Sequence, residues 1–147
     1  MAYEFQVVID CAEPHPLADW WAETLGWTVE DQDPGFIHRM IAEGYATDAD
    51  TATHNGRLVW RTGAAIRHPD DPAAGYRKRI VFQLVPEPKT VKNRVHIDVW
   101  VGPENVREQV DRLLERGAAF LHKGRQGPRE WVTLADPEGN EFCVSEG

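Results

Sequence analysis

The chain has 147 residues, 41% of them hydrophobic, which fits one domain with a hydrophobic core. Its formal net charge of −8 argues against a nucleic-acid or anionic-membrane partner. No apolar run approaches the roughly 20 residues that cross a bilayer, and the N-terminus lacks the pattern of a signal peptide. We therefore expect a cytoplasmic protein that binds a small molecule or another protein.

The first elements in chain order are a strand and an amphipathic helix. The strand is predicted over residues 4–10, and Pro14 marks the start of the helix. The apolar side chains of the helix recur at three- and four-residue spacing, at Leu17, Trp20, Trp21 and Leu25. Gly26 is predicted to end the helix, whose apolar face should pack on the strands.

Four further strands are predicted in the first half, over residues 27–30, 36–42, 57–61 and 79–85. The polar stretches 43–56 and 63–78 are predicted to be loops, each long enough for a lid or a pocket rim. A Pro-Glu-Pro-Lys segment then interrupts the chain at 86–89. We place a boundary here between two modules, about 1–88 and about 89–147.

The second half repeats this order of elements. A strand over 94–101 precedes a helix that is predicted to begin at Pro103 and to end at Gly117. Its buried stripe is formed by Val106, Val110, Leu113 and Leu114. Three strands follow, near residues 119–122, 130–135 and 141–145. The residues Asp136-Pro137-Glu138-Gly139 predict a tight turn between the last two strands.

An internal sequence repeat supports the two modules. Val8-Ile9-Asp10 resembles His96-Ile97-Asp98, and residues 82–85 resemble residues 142–145. The simplest explanation is a strand-helix-strand-strand-strand unit used twice. Either unit alone would expose one face of a curved sheet, so we expect the two to pack together.

Five segments carry a family resemblance: 5–10, 20–27, 82–89, 92–98 and 131–142. In them the chain resembles the vicinal oxygen chelate superfamily of glyoxalases, bleomycin-resistance proteins and dioxygenases, and more narrowly the actinobacterial glyoxalase-like domain proteins. The resemblance implies an α+β fold, in which two βαβββ modules form a curved mixed sheet around a cup-shaped pocket. Because this scaffold hosts metal-dependent lyases, isomerases and dioxygenases as well as metal-free drug binders, activity does not follow from the fold.

The resemblance also implies four strand positions, two per module, that hold a divalent ion in the enzymes. Carried over to this chain, these positions are Gln6 or Val8, Gln83, His96 and Cys143. The set contains no carboxylate, and neutral amides are poor ligands for hard or borderline ions. His96 and Cys143 could hold zinc or copper, but catalytic zinc normally has three good protein ligands. We therefore favour a pocket without a functional metal, with a divalent metal as the alternative.

Further candidate site residues come from the strands themselves. Among Trp60, Trp100 and Trp131, at least one indole is expected to line the pocket, where it would bind a planar or cationic ligand. Each of these residues, like His96, Gln83 and Cys143, also has a purely structural explanation within the core. The other histidines, His15, His38, His54, His68 and His122, are expected at the surface.

Two function classes remain open. The first, which we favour, is a non-catalytic protein that binds a small organic, aromatic ligand. The second is an enzyme: either a metal-dependent lyase, isomerase or dioxygenase of the glyoxalase type, or a metal-free enzyme. If the chain is an enzyme, His96 is the expected acid or base, and Asp98 shares its strand face. A homodimer is also expected.

Overall fold

The computed structural model describes residues 1–70 and 78–147. The chain forms two compact units, Met1–Pro88 and Lys89–Gly147, hereafter the N-terminal and C-terminal units. Each unit has its own buried residues, such as Trp21 and Phe82 in the first and Leu134 and Phe142 in the second. Within the described ranges, no helix is long and apolar enough to span a membrane.

The N-terminal unit contains two helices and a four-stranded mixed sheet. Its elements are β1 (Val7–Cys11), α1 (Pro14–Leu25), β2 (Thr28–Val29), α2 (Pro34–Ala42), β3 (Thr51–His54), β4 (Arg57–Trp60), β5 (Gly63–Arg67) and β6 (Arg79–Leu84). The sheet order is β1-β6-β5-β2, with β1 parallel to β6 and the other pairs antiparallel. Strands β3 and β4 form a separate antiparallel hairpin.

The C-terminal unit has the same strand order. Its elements are β7 (Ile97–Trp100), α3 (Val106–Glu115), β8 (Ala119–Gln126), β9 (Arg129–Ala135) and β10 (Glu141–Ser145). The sheet order is β7-β10-β9-β8, and only β7 and β10 are parallel. The fold is therefore α+β, with a βαβββ arrangement in each unit. The N-terminal unit additionally carries α2 and the β3–β4 hairpin between its second and third sheet strands.

Helix α1 confirms the sequence prediction. Leu17 and Trp21 are almost fully buried, and the helix packs on β5 and β6. Gly26 ends the helix in the left-handed conformation, with φ of 67°, which favours glycine because a Cβ would be strained there. The apolar spacing of the sequence thus places α1 on the N-terminal sheet.

The predicted strand over residues 36–42 is wrong, because these residues belong to helix α2. Asp33 caps this helix by accepting a 2.9 Å hydrogen bond from the backbone of Gly35, and Pro34 occupies the first turn. The apolar residues lie at helical spacing, and Ile37 is 0% exposed. The local capping signal and the packing of Ile37 therefore outweigh the strand propensity of the segment.

Both predicted loops in the first half also contain strands. Residues 43–56 include β3, which pairs with β4. Residues 63–78 include β5, where Ala64, Ala65 and Ile66 are buried between their sheet neighbours. Residues 71–77 of this stretch lie outside the described residues. Burial of small alanine side chains explains why β5 lacks an obvious strand pattern.

The second half follows its predictions with shifted boundaries. Strand β8 extends to Gln126, beyond the predicted end at 122, and α3 begins at Val106 instead of Pro103. The predicted turn is confirmed, since the backbone of Gly139 donates a 2.8 Å hydrogen bond to the carbonyl of Asp136. A carboxylate oxygen of Asp136 also accepts bonds from the backbones of Glu138 and Asn140, at 2.9 and 3.0 Å.

Candidate functional site

A pocket of about 430 Å³ lies on the C-terminal unit, and all of its lining residues belong to that unit. Alternate residues of a strand face the same side of a sheet. Most of the strand residues that line the pocket follow this rule: Asp98, Trp100, Cys143, Ser145, Trp131, Thr133, His122 and Gln126. Glu130, next to Trp131 on β9, also borders the pocket. The pocket is thus one face of the C-terminal sheet.

A polar row crosses the middle of this face. Strand register pairs Asp98 with Cys143, Cys143 with Thr133, and Thr133 with His122. The Thr133 hydroxyl oxygen lies 3.4 Å from the Cys143 sulfur, a hydrogen bond within the buried part of the row. We call the residues Asp98, Cys143, Thr133 and His122 the polar row.

His96 extends the polar row towards the start of β7. Because it precedes Asp98 by two positions, both side chains face the pocket, and His96 Nε2 lies 3.3 Å from Asp98 Oδ1. Their side chains are 43% and 54% exposed, so solvent reaches both. The ligand atoms of His96, Asp98 and Cys143 all lie within 4.8 Å of one another.

Burial raises the pKa of the Cys143 thiol. The hydrogen bond from Thr133 and the charge of Lys92 act in the opposite direction, but the nearby Asp98 carboxylate adds to the increase. The thiol is therefore protonated at neutral pH. Since the thiolate is the reactive form, Cys143 is not an activated nucleophile in this environment.

An aromatic row lies next to the polar row, about 7 Å along the strands. Register pairs Trp100 with Ser145, Ser145 with Trp131, and Trp131 with Gly124. Trp100 is 73% exposed, whereas Trp131 is half-buried and its indole lies over Gly124, where a Cβ would overlap the ring. Two indoles, separated by the small side chain of Ser145, therefore form an apolar floor for the pocket.

Glu141 holds the segment before β7 against β10. Its carboxylate accepts hydrogen bonds from Lys89 Nζ at 2.9 Å and from the Asn93 backbone at 3.1 Å. Burial acts to raise the pKa of Glu141, but these hydrogen bonds and the charge of Lys89 outweigh it and lower the pKa overall. Glu141 is thus a paired structural anion at the pocket edge.

The glutamines predicted in the N-terminal unit have different surroundings. The Gln6 side-chain oxygen accepts a 2.9 Å hydrogen bond from Arg79, which also donates two 2.8 Å bonds to the carboxylate of Glu30. Gln83 is exposed on β6, opposite Asp10 in the register. Gln6 and Gln83 lie at opposite ends of the β1–β6 pairing and do not form one cluster.

The register of strand pairing also decides whether Gln6 or Val8 corresponds to the first of the four family positions. Ile9 pairs with Phe82 as Ile97 pairs with Phe142, so matching the two buried phenylalanines equates Val8 with His96. Val8 offers no ligand atom, and Gln6 is bonded to Arg79. The residues present therefore do not fit the four-position ion site that the family resemblance implies.

The four positions carried over from the family resemblance contain no carboxylate, but a carboxylate of the C-terminal unit lies next to two of them. Asp98 lies beside both His96 and Cys143, because the parallel pairing of β7 and β10 puts Asp98 opposite Cys143. The sequence argument considered Asp98 only as a catalytic partner of His96. The register with Cys143, which only the fold reveals, makes it a neighbour of the sulfur as well.

Of the remaining predicted residues, some lie outside the C-terminal pocket and one lines it. Trp60 lies on the β3–β4 hairpin, where its backbone N–H donates a 2.7 Å bond to Gln32, and it does not line the C-terminal pocket. His15, His54 and His68 are half-buried instead of surface residues, and His54 Nε2 lies 2.6 Å from an Asp19 oxygen. His122 does line the pocket. Its position follows from the bulge between Phe120 and His122, which no signal in the local sequence predicts.

Comparison with known proteins agrees with this architecture. A family model described as a glyoxalase-like domain matches residues 6–145, whereas no curated protein sequence matches. A possible glyoxalase from Bacillus cereus is 13% identical, with a TM-score of 0.60 and 99% of both chains covered. A genomically encoded fosfomycin resistance protein from Listeria monocytogenes is 9% identical, with a TM-score of 0.62 and 100% of this chain and 94% of that chain covered.

A third similar structure is a bleomycin-binding protein from bleomycin-producing Streptomyces verticillus, solved with copper(II)-bleomycin. It is 13% identical, with a TM-score of 0.54, and the alignment covers 100% of this chain and 98% of that chain. At these identities the structural matches establish the fold alone. The family match over residues 6–145 shows that the chain belongs to the glyoxalase-like domain family.

Proposed function

We propose that the protein binds a small planar organic molecule on the pocket face of the C-terminal unit. The observation that carries this proposal is the aromatic row, in which Trp100 and Trp131 lie on one face beside hydrogen-bonding side chains. In this proposal the ligand ring stacks on the indoles, and its polar atoms bond to the polar row. No metal is required to hold it.

The exposure of Trp100 supports a binding role. An indole that is 73% exposed gains little from packing within the unit, although tryptophan carries a large apolar surface. A pocket that combines apolar walls with a few polar groups is typical of small-molecule sites. The fosfomycin-resistance and bleomycin-binding neighbours are consistent with a binding role for this scaffold.

The test is calorimetric titration of the chelator-treated chain with matched planar probes: benzamidine, benzamide, benzoate and their naphthalene analogues. We expect at least one probe to bind, and Trp131→Leu and Trp100→Leu each to weaken it about tenfold, the equivalent of about 1.4 kcal/mol of lost stacking. Trp27→Leu is the control, because Trp27 lies in the N-terminal unit outside the pocket. Absence of binding, or equal losses in all three variants, would refute the proposal.

A metal-free enzyme is the second candidate, favoured by the 3.3 Å approach of His96 to Asp98. A carboxylate that contacts an imidazole can orient it for proton transfer. If the bound molecule is also converted, His96→Gln should abolish turnover while leaving ligand affinity within about twofold. Turnover that disappears after chelator treatment would instead favour the metal-dependent lyase, isomerase or dioxygenase class.

We further propose that the chain forms a homodimer. Within the part of the chain that the structure describes, strand β8 has a sheet neighbour on one side only, and Phe120 and Leu121 on it are 51% and 44% exposed. An edge strand with exposed apolar side chains is suited to pairing with another chain. Sedimentation equilibrium checks this, and a monomer at all accessible concentrations would exclude it.

A further inference from the structure

We propose that the molecule bound on the pocket face is an organic cation, and that the Asp98 carboxylate selects its positive charge. This inference rests on the proposed function, because the ring of the ligand must stack on the indoles of Trp100 and Trp131. It adds the charge of the ligand and the side chain that recognises this charge. An aromatic amidine or amine, with a planar ring and a positively charged nitrogen group, represents the class.

Asp98 lies where a substituent on a stacked ring would reach it. It precedes Trp100 by two positions on β7, so the two side chains share the pocket face about 7 Å apart. The Asp98 side chain is 54% exposed, and a carboxylate has about four acceptor positions. Contacts with His96 and with the Cys143 thiol use only some of these positions, which leaves others for the donors of a ligand.

The other charged side chains around the pocket balance one another. Four of them carry formal charge in equal numbers of each sign: Lys92, Arg129, Glu130 and Glu146. Glu141, the remaining acidic residue of the lining, is bound to Lys89. The Asp98 carboxylate, which belongs to the polar row itself, therefore sets the sign of the charge that a ligand on this face meets.

The pKa of Cys143 reports the sign of the local field. Cys143 lies between Asp98 and Thr133 in the polar row. Burial is the largest cause of the raised pKa of this thiol, and among the nearby charges Asp98 raises the pKa by more than Lys92 lowers it. In the middle of the row the negative charge thus outweighs the positive one. The same field favours a cation of the ligand and disfavours an anion.

The aromatic row adds to this preference. A cation is attracted to the electron-rich face of an indole, and the attraction grows when water is displaced from the pair. Trp100 is 73% exposed on the strand that also carries Asp98, so its ring is accessible to a ligand. A carboxylate beside two indoles therefore recognises both the charge and the flat shape of an aromatic cation.

The experiment compares benzamidine with benzamide, which have nearly the same shape but differ in charge at neutral pH. In calorimetric titration of the chelator-treated full chain at low salt, benzamidine should bind about tenfold more tightly than benzamide, and benzoate should bind most weakly. Asp98→Asn should reduce the difference between benzamidine and benzamide to about twofold. Asp111→Asn, which removes the same charge on the exposed side of α3 outside the pocket, should leave the difference unchanged.

The salt dependence of binding is a second measurement that needs no variant. Because dissolved ions screen the attraction between the ligand and Asp98, the difference between the two probes should fall to about threefold or less in about 0.5 M sodium chloride. Equal binding of benzamidine and benzamide at low salt, or an unchanged difference in Asp98→Asn, overturns the charge selection and leaves stacking on the indoles intact. Failure of every probe to bind would refute the proposed function and this inference together.

Discussion

The indole ring of Trp131 on β9 covers Gly124, its register partner on β8. A Cβ at position 124 would overlap three atoms of that ring. Glycine is therefore required here by the close approach of a neighbouring side chain, and not by a positive φ. The ring orientation in the aromatic row depends on this single missing side chain.

Gly124→Ala should consequently displace the Trp131 indole. Alanine in place of a strand glycine is ordinarily neutral or stabilising, but forced overlap in a packed site costs about 1 to 3 kcal/mol. We expect lower unfolding free energy in urea and weaker binding of the planar probes. An unchanged urea midpoint with unchanged probe affinity would contradict the described ring position.

A double-mutant cycle provides the control for this prediction. In a Trp131→Leu background the overlap is largely removed, so the same Gly124→Ala change should cost much less. The two effects should therefore be non-additive, as expected for residues in direct contact. Additive effects within about 0.5 kcal/mol would mean that the two positions do not interact.

Truncation of Trp100 and of Trp21 should change the unfolding free energy by very different amounts. Trp100 is 73% exposed, so Trp100→Ala should change the unfolding free energy by no more than about 0.5 kcal/mol. Trp21 is 1% exposed, and Trp21→Ala should cost about 3 to 5 kcal/mol through the cavity it leaves. Chemical denaturation measures both values, and a large loss for Trp100→Ala would indicate a structural role.

Acidification should destabilise the chain through Glu141. The pKa of this carboxyl is lowered in the folded state, so its contribution is complete above the ordinary value of 4.5 and is lost as the pH falls through the folded value. Glu141→Gln should cost about 0.5 to 1.5 kcal/mol at neutral pH, with little cost under acidic conditions. Urea unfolding at both pH values tests this, and an equal cost at both would contradict it.

Asp136 should be sensitive because it organises the β9–β10 turn. Its side chain is 3% exposed and accepts hydrogen bonds from two backbone N–H groups and from the Asn140 amide. Asp136→Ala leaves these donors without their acceptor and should cost about 1 to 3 kcal/mol. Glu138→Ala, in the same turn, is the matched control and should cost much less in thermal unfolding.

The sequence predicts the repeated unit well, but it misassigns the segment that lies between strands β2 and β5 of the N-terminal unit. The α1 and β6 patterns are strong because burial and period coincide, whereas β1 is recognisable from its β-branched run although Val7 and Val8 are exposed. The error at 36–42 arises because apolar residues at Phe36, Ile37, Met40 and Ile41 fit a helix only when the Asp33–Pro34 start signal is included. Strand β5 was missed because alanine carries little strand propensity.

In the candidate site, too, local patterns are predictable from the sequence and contacts between distant strands are not. Alternation along a strand predicts that His96 and Asp98 share a face, and the structure agrees. The contact of Asp98 with Cys143 and the position of His122 depend on register between strands distant in sequence. A bulge between Phe120 and His122 further shifts β8, and nothing in the local sequence specifies it.

Strands β7 and β10, the first and last strands of the C-terminal unit, are neighbours in its sheet. His96 and Asp98 therefore lie near Cys143 only because the first and last strands of the unit pair with each other. Local opening of a fold begins at such weakly constrained edges. A molecule that contacts both strands would slow amide hydrogen exchange along them.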